Sequence, residues 1–394
     1  MLKSHTRAFS VGMAMFSMFF GAGNIVFPLL LGRDYGNESF FAFLGFISTA
    51  VLLPLFGVIA MLLYDGNYKT FFLRLGKIPG WLLIALFVSI LGPFGASPRI
   101  IAVSYATIHL YFPQISLLPF SAAFCILIFL LVIKRSNLLN IMGNILSPIL
   151  LALLVMTIVF GFIGHATAPQ FDVAKLHAVT EGIIWGYNTL DFVAALFYSS
   201  IVIYALKKGR KIEGKDPLLP SYTEKKGRVA IALKGGILAA FLLMVIYAGL
   251  ISIASFKAAS LSSVANPAEL LGAIVVSFLG TSGGSIVIAT LFFACITTVV
   301  AEVVVFSDAL HYELFKKRMP YLFSIFVTLA ISFAFSNLDF AGISKILTPI
   351  VEVIYPAAIT LAICNVAYKI WGFERVKVPV FVVFAVTLFV FALG

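Results

Sequence analysis

Eleven apolar runs, each close to the length needed to cross a lipid bilayer, constrain this 394-residue chain more than any other feature of its sequence. A bilayer core about 30 Å thick is spanned by about 20 apolar residues in a helix. Hydrophobic residues make up 62% of the chain, more than a water-soluble protein of this length can bury. We therefore predict an all-α polytopic membrane protein. The runs occupy residues 8–31, 40–63, 81–110, 117–134, 139–164, 184–206, 229–256, 271–306, 320–336, 346–369 and 378–394.

The basic residues lie mostly on one side of the predicted membrane. When successive loops are assigned to alternate sides, the side with the N-terminus carries 21 Lys and Arg and the other side carries 4. Cytoplasmic loops carry such an excess, so we predict a cytoplasmic N-terminus. The net charge of +11 is then a consequence of topology, and we predict no nucleic-acid partner.

The first run is interrupted near its middle by residues that disfavour a regular helix. It reads Phe-Gly-Ala-Gly-Asn-Ile-Val-Phe-Pro over residues 20–28. Glycine favours unwinding, and Pro28 lacks an N–H and disturbs the turn before it. Backbone groups freed in a membrane are tolerated only where they face protein, a cavity or a ligand. The pattern predicts a break at residues 21–24 that forms part of a transporter binding site; the alternative is a small-residue packing face.

The sixth run has a similar irregularity, Trp-Gly-Tyr-Asn-Thr-Leu-Asp at residues 185–191. It starts five helices after the first run, an odd number, so two halves built on these runs would have opposite orientations. This predicts a five-plus-five inverted repeat with broken helices 1 and 6, within a single transmembrane transporter domain spanning residues 1–394. The first repeat covers about 8–164, the second about 184–369, and an extra helix covers about 378–394.

Several polar residues inside the runs are candidate functional groups. Asp191 is predicted to hold a substrate ammonium, a sodium ion or a proton; the alternative is an acid that caps a helix start near the surface. Arg99 is predicted to be a structural partner for an acid or for carbonyls at a helix break. Glu302 and Glu352 are candidates for a proton site or ion pairs, with satisfied buried acids as the alternative. Thr297 and Thr298 either bond carbonyls one turn back or supply oxygens to a small cation together with carbonyls of the first run.

These residues resemble a known family, the bacterial branched-chain amino acid:cation symporters of the BrnQ type. The resemblance rests on motifs found in order along nearly the whole chain. They are residues 20–28, Gly92-Pro93 with Ser97-Pro98-Arg99, residues 143–148 (Gly-Asn-Ile-Leu-Ser-Pro), Gly186-Tyr187 with Thr189 and Asp191, and Ile354-Tyr355-Pro356. The resemblance implies the five-plus-five inverted-repeat fold of the bacterial leucine transporter.

The resemblance also implies roles for individual positions. Backbone N–H groups of the broken first helix would bind the substrate carboxylate, and oxygens near both breaks would bind sodium. The implied substrate-binding residues are Gly21, Ala22, Gly23, Asn24, Tyr187 and Asp191. The implied sodium-binding residues are Phe20, Asn24, Thr189, Ala294, Thr297 and Thr298.

The function expected from the residues and the resemblance together is sodium-coupled import of leucine, isoleucine and valine across the bacterial inner membrane by alternating access. Sodium is the coupling ion, and no cofactor is expected. The alternative within transport is proton coupling through Asp191, Glu302 or Glu352, with another neutral amino acid as substrate. A passive channel and an integral membrane enzyme are further alternatives. No His or Cys spacing typical of a metal site and no nucleophile–base arrangement is legible, so we predict that the chain is not an enzyme.

Overall fold

The computed structural model describes residues 2–133, 142–162, 168–212, 222–279 and 284–393. Every regular element in these ranges is helical, as expected for a chain whose backbone groups must bond within their own segment in lipid. Seven helical stretches are long and apolar enough to cross a membrane, and four shorter apolar helices have 10–17 residues. Each of the eleven predicted runs contains at least one described helix, so the polytopic all-α prediction is confirmed.

The helices are numbered in chain order. They are α1 (Leu2–Phe19), α2 (Gly23–Tyr35), α3 (Ser39–Ile47), α4 (Leu53–Leu63), α5 (Tyr68–Phe72), α6 (Lys77–Leu91), α7 (Ala96–Tyr111), α8 (Leu117–Ile133), α9 (Ser147–Gly161), α10 (Lys175–Asn188), α11 (Asp191–Ile212), α12 (Tyr222–Phe256), α13 (Ala258–Leu261), α14 (Leu270–Leu279), α15 (Gly284–Asp308), α16 (Tyr321–Ser336), α17 (Asp339–Trp371) and α18 (Lys377–Leu393).

The first span is broken, as its sequence predicts. Helix α1 ends at Phe19 and α2 begins at Gly23, so the break covers residues 20–22 and lies slightly earlier than the predicted 21–24. Pro28 lies inside α2, and the helix continues through it. The glycines and the neighbouring packing therefore determine where the chain unwinds, and Pro28 does not end the helix.

The sixth span is broken between α10 and α11, again as predicted. Leu190 at this break has φ of +66°, in the left-handed region that non-glycine residues seldom adopt. A residue held in this region costs about 1–3 kcal/mol and persists only when its surroundings enforce it. The span also starts at Lys175, nine residues before the predicted start at 184.

Two predicted runs are not single helices. The third run, 81–110, is divided into α6 and α7 by the turn at residues 92–95, which contains Gly92, Pro93 and Gly95. The eighth run, 271–306, contains α14 and α15; the residues between them, 280–283, lie outside the described ranges. Continuous hydropathy concealed the turn at residues 92–95, because its residues are themselves small or apolar.

The spans pack in two groups. In the first group, α1 and α2 pack along α12, α10 packs along α3, and α11 packs along α4. In the second group, α7 packs on α15, and α16 packs on α8 and α15. We call these groups the bundle (first, second, sixth and seventh spans) and the scaffold (third, fourth, eighth and ninth spans). The broken first and sixth spans belong to the bundle, and the broken third span belongs to the scaffold.

Glycines bring α3 and α10 into backbone contact. A Cβ atom built on Gly182 would overlap the carbonyl oxygen of Ala42 and lie 2.8 Å from the backbone nitrogen of Phe46. A Cβ atom built on Gly45 would in turn overlap the carbonyl of Val179. Small residues permit this kind of close approach between membrane helices. The second span is thereby fixed against the first half of the sixth.

Gly182→Ala is expected to lower the stability of the fold by about 1–3 kcal/mol, since the added methyl group meets backbone rather than a movable side chain. The measurement is the thermal unfolding midpoint of purified protein in detergent. Gly227→Ala is the matched control: Gly227 lies in α12 with nothing within 4 Å of its built Cβ, so the variant should match or exceed the wild-type midpoint. A Gly182→Ala midpoint equal to that of the wild type would contradict the close packing.

Candidate functional site

The three helix breaks surround one cavity between the bundle and the scaffold. The lining residues surround about 340 Å³ of empty space, part of which is open to solvent. The first span lines it with Met18, Phe19 and residues 21–24, and the sixth span with residues 189–191, Ala194 and Tyr198. The scaffold contributes Leu91, Ala96, Arg99 and Ile100 from the third span, and Thr298 and Glu302 from the eighth.

Asp191 and Asn24 connect the two broken helices of the bundle. The Asn24 side-chain amide donates to Asp191 Oδ2 at 2.5 Å, and it also contacts the hydroxyl of Tyr247. Tyr247 donates from its hydroxyl to the same Asp191 oxygen at 3.2 Å. Asp191 is the first residue of α11 and is 2% exposed. It is thus a buried acid at mid-span and not a cap near the surface.

The start of α2 supplies unbonded backbone donors. The first N–H groups of a helix have no partner one turn back, and here α2 is separated from the end of α1 by the break at residues 20–22. The Asn24 side chain accepts from the N–H of Gly21 at 3.1 Å, which fixes the turn. The N–H groups of residues 22–24 therefore lack partners one turn back and lie at the positive end of the α2 dipole.

A group of oxygens lies where α1 meets α15. Thr298 donates from its hydroxyl to the carbonyls of Ser17 at 3.2 Å and Phe20 at 3.0 Å. The Thr297 hydroxyl lies 3.1 Å from the Ser17 carbonyl and 3.0 Å from the carbonyls of Phe293 and Ala294. Thr297 therefore does bond one turn back, whereas the Thr298 hydroxyl contacts carbonyls of the first span, one in α1 and one in the break. Phe20, Ala294, Thr297 and Thr298 come together as predicted, and Ser17 joins them.

Arg99 bonds a carbonyl at a helix break, as predicted. Its Nη2 donates to the backbone oxygen of Asn188 at 2.8 Å, at the end of α10. Asn188 accepts on its side-chain oxygen from Thr348 at 2.8 Å. The guanidinium is buried, and the ring centroids of Phe27 and Phe340 lie 5.4 Å and 5.6 Å from its central carbon. Arg99 thus links the scaffold to the break in the sixth span.

The remaining predicted residues divide into those inside and those outside the cavity. Glu302 lines it, is 2% exposed and accepts from the Ser97 hydroxyl at 2.7 Å. Thr189 also lines it; its hydroxyl donates to the Gly186 carbonyl at 2.8 Å and accepts from the Asp191 N–H at 3.3 Å, which caps α11. Tyr187 and Glu352 do not line it. The Tyr187 ring packs on Tyr355 at 5.4 Å, and Glu352 is half-buried in α17.

Three participating residues were not predicted. The Ser17 carbonyl follows from a general rule, since the last carbonyls of any helix that ends at residue 19 lack intrahelical partners. Ser97 belongs to the Ser97-Pro98-Arg99 motif, in which a role was predicted for Arg99 only. Tyr247 had no sequence signal, because it is one aromatic residue in the apolar helix α12 and reaches Asp191 only through tertiary packing.

Sequence comparison gives matches along almost the whole chain. A family model described as "Branched-chain amino acid transport protein" matches residues 4–393. The branched-chain amino acid permease BrnQ of Corynebacterium glutamicum is 32% identical over 360 residues, which cover 88% of this chain and 78% of that protein. The permease BrnQ of Escherichia coli K12 is 28% identical over 378 residues, covering 94% of this chain and 82% of that protein.

Comparison with solved structures supports the fold. Mhp1, described as a nucleobase-cation-symport-1 family transporter, superposes with a TM-score of 0.64 at 15% identity, covering 93% of this chain and 79% of that one. A manganese transporter of Eremococcus coleocola gives a TM-score of 0.59 at 15% identity, covering 98% of this chain and 85% of that one. These similarities agree with the leucine-transporter-like arrangement expected from the sequence.

Tyr247→Phe is expected to lower the stability of the fold by about 1–2 kcal/mol, because Asp191 loses a buried hydrogen-bond donor. Tyr198→Phe is the matched control. Tyr198 is equally buried and lies in the same cavity, but its hydroxyl has no hydrogen-bond partner within the described part of the chain. Thermal unfolding in detergent should therefore rank Tyr198→Phe with the wild type and Tyr247→Phe below both. The reverse order would refute the network.

Proposed function

The chain belongs to the branched-chain amino acid transport protein family, and from that premise we propose that it is a secondary symporter of leucine, isoleucine and valine coupled to sodium. The observation that carries the proposal is the cavity bounded by the two broken bundle helices and the scaffold. Binding sites in transporters of this architecture lie near the membrane midplane at such breaks. The relatives are named branched-chain amino acid permeases, and the proposed substrate follows from that similarity.

The cavity has chemistry suited to a zwitterion with an apolar side chain. The N–H groups at the start of α2 suit the substrate carboxylate. Asp191, which is buried beside them, suits the substrate ammonium. Met18, Leu91 and Ile100 offer an apolar surface for a branched side chain. Gly21–Asn24 and Asp191 are therefore proposed as substrate-binding residues; Tyr187 has no direct part in this proposal because it lies outside the lining.

Five neutral oxygens between α1 and α15 suit a sodium ion. They are the carbonyls of Ser17, Phe20 and Ala294 and the hydroxyls of Thr297 and Thr298. Hard cations prefer oxygen ligands, and unwound carbonyls at half-helix ends are typical of coupling-ion sites in transporters. Asn24 and Thr189, which line the cavity on either side of Asp191, are proposed as ligands of a second cation.

Alternating access would follow from movement of the bundle against the scaffold. The cavity and the five oxygens both lie between these groups, so each would change shape as the groups move. The charge distribution of the loops supports a cytoplasmic N-terminus, with substrate and ion entering from the opposite side.

Proton coupling is the second candidate, and Glu302 favours it. Glu302 is a buried acid that faces the cavity, and among the described residues its one hydrogen-bond partner is Ser97. A carboxylate in this position suits a proton carrier as well as a structural acid. On this alternative the coupling ion is a proton, and the substrate is leucine or another neutral amino acid.

The test is uptake of labelled leucine into proteoliposomes under an imposed sodium gradient or an imposed proton gradient, applied separately. We expect accumulation with sodium and little accumulation with protons alone. Competition by unlabelled isoleucine and valine, and its absence with lysine, would define the substrate class. Accumulation with protons alone would replace the sodium proposal by the Glu302 alternative, and no leucine accumulation with either gradient would refute leucine as substrate.

Thr298→Ala is expected to raise the sodium concentration for half-maximal uptake by about 10-fold or more, since it removes one hydroxyl ligand. The matched control is Thr157→Ala, because the buried Thr157 hydroxyl bonds only its own helix, at the carbonyl of Leu153. The sodium dependence of leucine uptake in proteoliposomes is the measurement. An unchanged dependence in Thr298→Ala, alongside normal Thr157→Ala behaviour, would remove Thr298 from the coupling site.

A further inference from the structure

The guanidinium of Arg99 has donors that the protein does not use. Its Nη2 donates to the Asn188 carbonyl, whereas Nε and Nη1 are buried and have no hydrogen-bond partner among the residues that the structure describes. Arg99 is 3% exposed. Leaving buried guanidinium donors unpaired is costly, so an arrangement of this kind is expected where a ligand completes it.

The two acids of the same cavity are already held by other donors. Asp191 accepts from Asn24 and Tyr247, and Glu302 accepts from Ser97. Neither of them forms an ion pair with Arg99 among the described residues. The positive charge of Arg99 is therefore without a contacting carboxylate, in a cavity that also carries free backbone donors.

Arg99 lies against those backbone donors. Its Nη2 is 3.3 Å from the position that a Cβ atom on Gly23 would take, beside the first N–H groups of α2. Asn188 uses one of the two hydrogens of Nη2, which leaves one edge of the planar guanidinium complete. A carboxylate can accept two parallel hydrogen bonds from such an edge. One carboxylate could then contact both the guanidinium edge and the start of α2.

We propose that Arg99 is a substrate-binding residue that holds the α-carboxylate of the transported amino acid, together with the N–H groups of α2. This rests on the proposed function and adds a charged anchor on the scaffold to donors on the bundle. The two aromatic rings beside the guanidinium, Phe27 and Phe340, keep its position fixed through cation–π contacts. The substrate carboxylate therefore bridges the two groups of helices that move in transport.

The test compares leucine with leucinamide, in which a neutral amide replaces the carboxylate. Binding to purified protein in detergent with saturating sodium is measured by competition against labelled leucine for the wild type and by direct titration calorimetry for variants. The wild type should bind leucine about 10-fold or more tighter than leucinamide. Arg99→Gln should weaken leucine binding by about 10- to 100-fold and leucinamide binding by less than about 3-fold. The preference for a carboxylate would then largely disappear.

The matched control separates binding from support of the break. Thr348→Val removes the hydrogen bond to the Asn188 side chain and disturbs the same break without altering the guanidinium. It should keep the wild-type ratio of leucine to leucinamide affinity. If Arg99 had only a structural role, Arg99→Gln would weaken the binding of leucine and of leucinamide by the same factor. That result, an unchanged ratio of the two affinities, would overturn the proposal.

Two further outcomes are distinguishable. If Arg99→Gln does not give a monodisperse protein, Arg99→Lys decides: it keeps the charge but lacks the planar edge, and leucine affinity should fall about 10-fold with leucinamide affinity retained. A wild-type ratio in Arg99→Lys would then overturn the proposal. Wild-type protein that binds neither leucine nor another branched-chain amino acid would refute the proposed function itself.

Discussion

The structure depends on how backbone groups freed by helix breaks are satisfied inside a membrane. In lipid an unbonded N–H or C=O group costs several kcal/mol, so a break is stable only where other groups or a ligand compensate for it. Here the third, sixth and eighth spans provide that compensation. Thr298 bonds the carbonyls at the end of α1, and Arg99 bonds the carbonyl at the end of α10. The carbonyls are met by side chains of the scaffold, whereas the N–H groups at the start of α2 face the cavity.

The breaks are also held from within the bundle. Asn24 donates to Asp191 and accepts from Gly21, so one side chain fixes the turn in the first span and connects it to the sixth. Tyr247 on α12 contacts both Asn24 and Asp191. Leu190, with φ of +66°, is kept in an unfavourable conformation between these contacts and the Arg99–Asn188 bond. The strain at Leu190 lies at the cavity wall, where stored strain is commonly associated with function.

From the sequence alone, helix breaks were predicted where glycine lies beside polar residues within an apolar run. The break in the first span was indicated by Gly21, Gly23 and Asn24. The break in the sixth span was indicated by Asn188 and Asp191. The break at residues 92–95 was missed although it contains two glycines and a proline, because hydropathy remained continuous through it. The position of Tyr247 beside Asp191 was beyond prediction, since it depends on packing between helices far apart in sequence. Tyr187 was predicted at the site because the family resemblance includes the Gly186-Tyr187 motif, but the turn of α10 directs it toward Tyr355.

The arrangement gives a physical account of coupling under the proposed function. The five oxygens proposed for sodium are divided between the first span in the bundle and α15 in the scaffold, so an ion held by all five favours the conformation in which these two spans are close. The carbonyl of Phe20 belongs both to this group and to the break whose N–H groups face the substrate cavity. Ion binding at the end of α1 therefore fixes the geometry at the start of α2, three residues later. Sodium and substrate would each stabilise the same form of one short segment, which is the reciprocal linkage that a symporter requires.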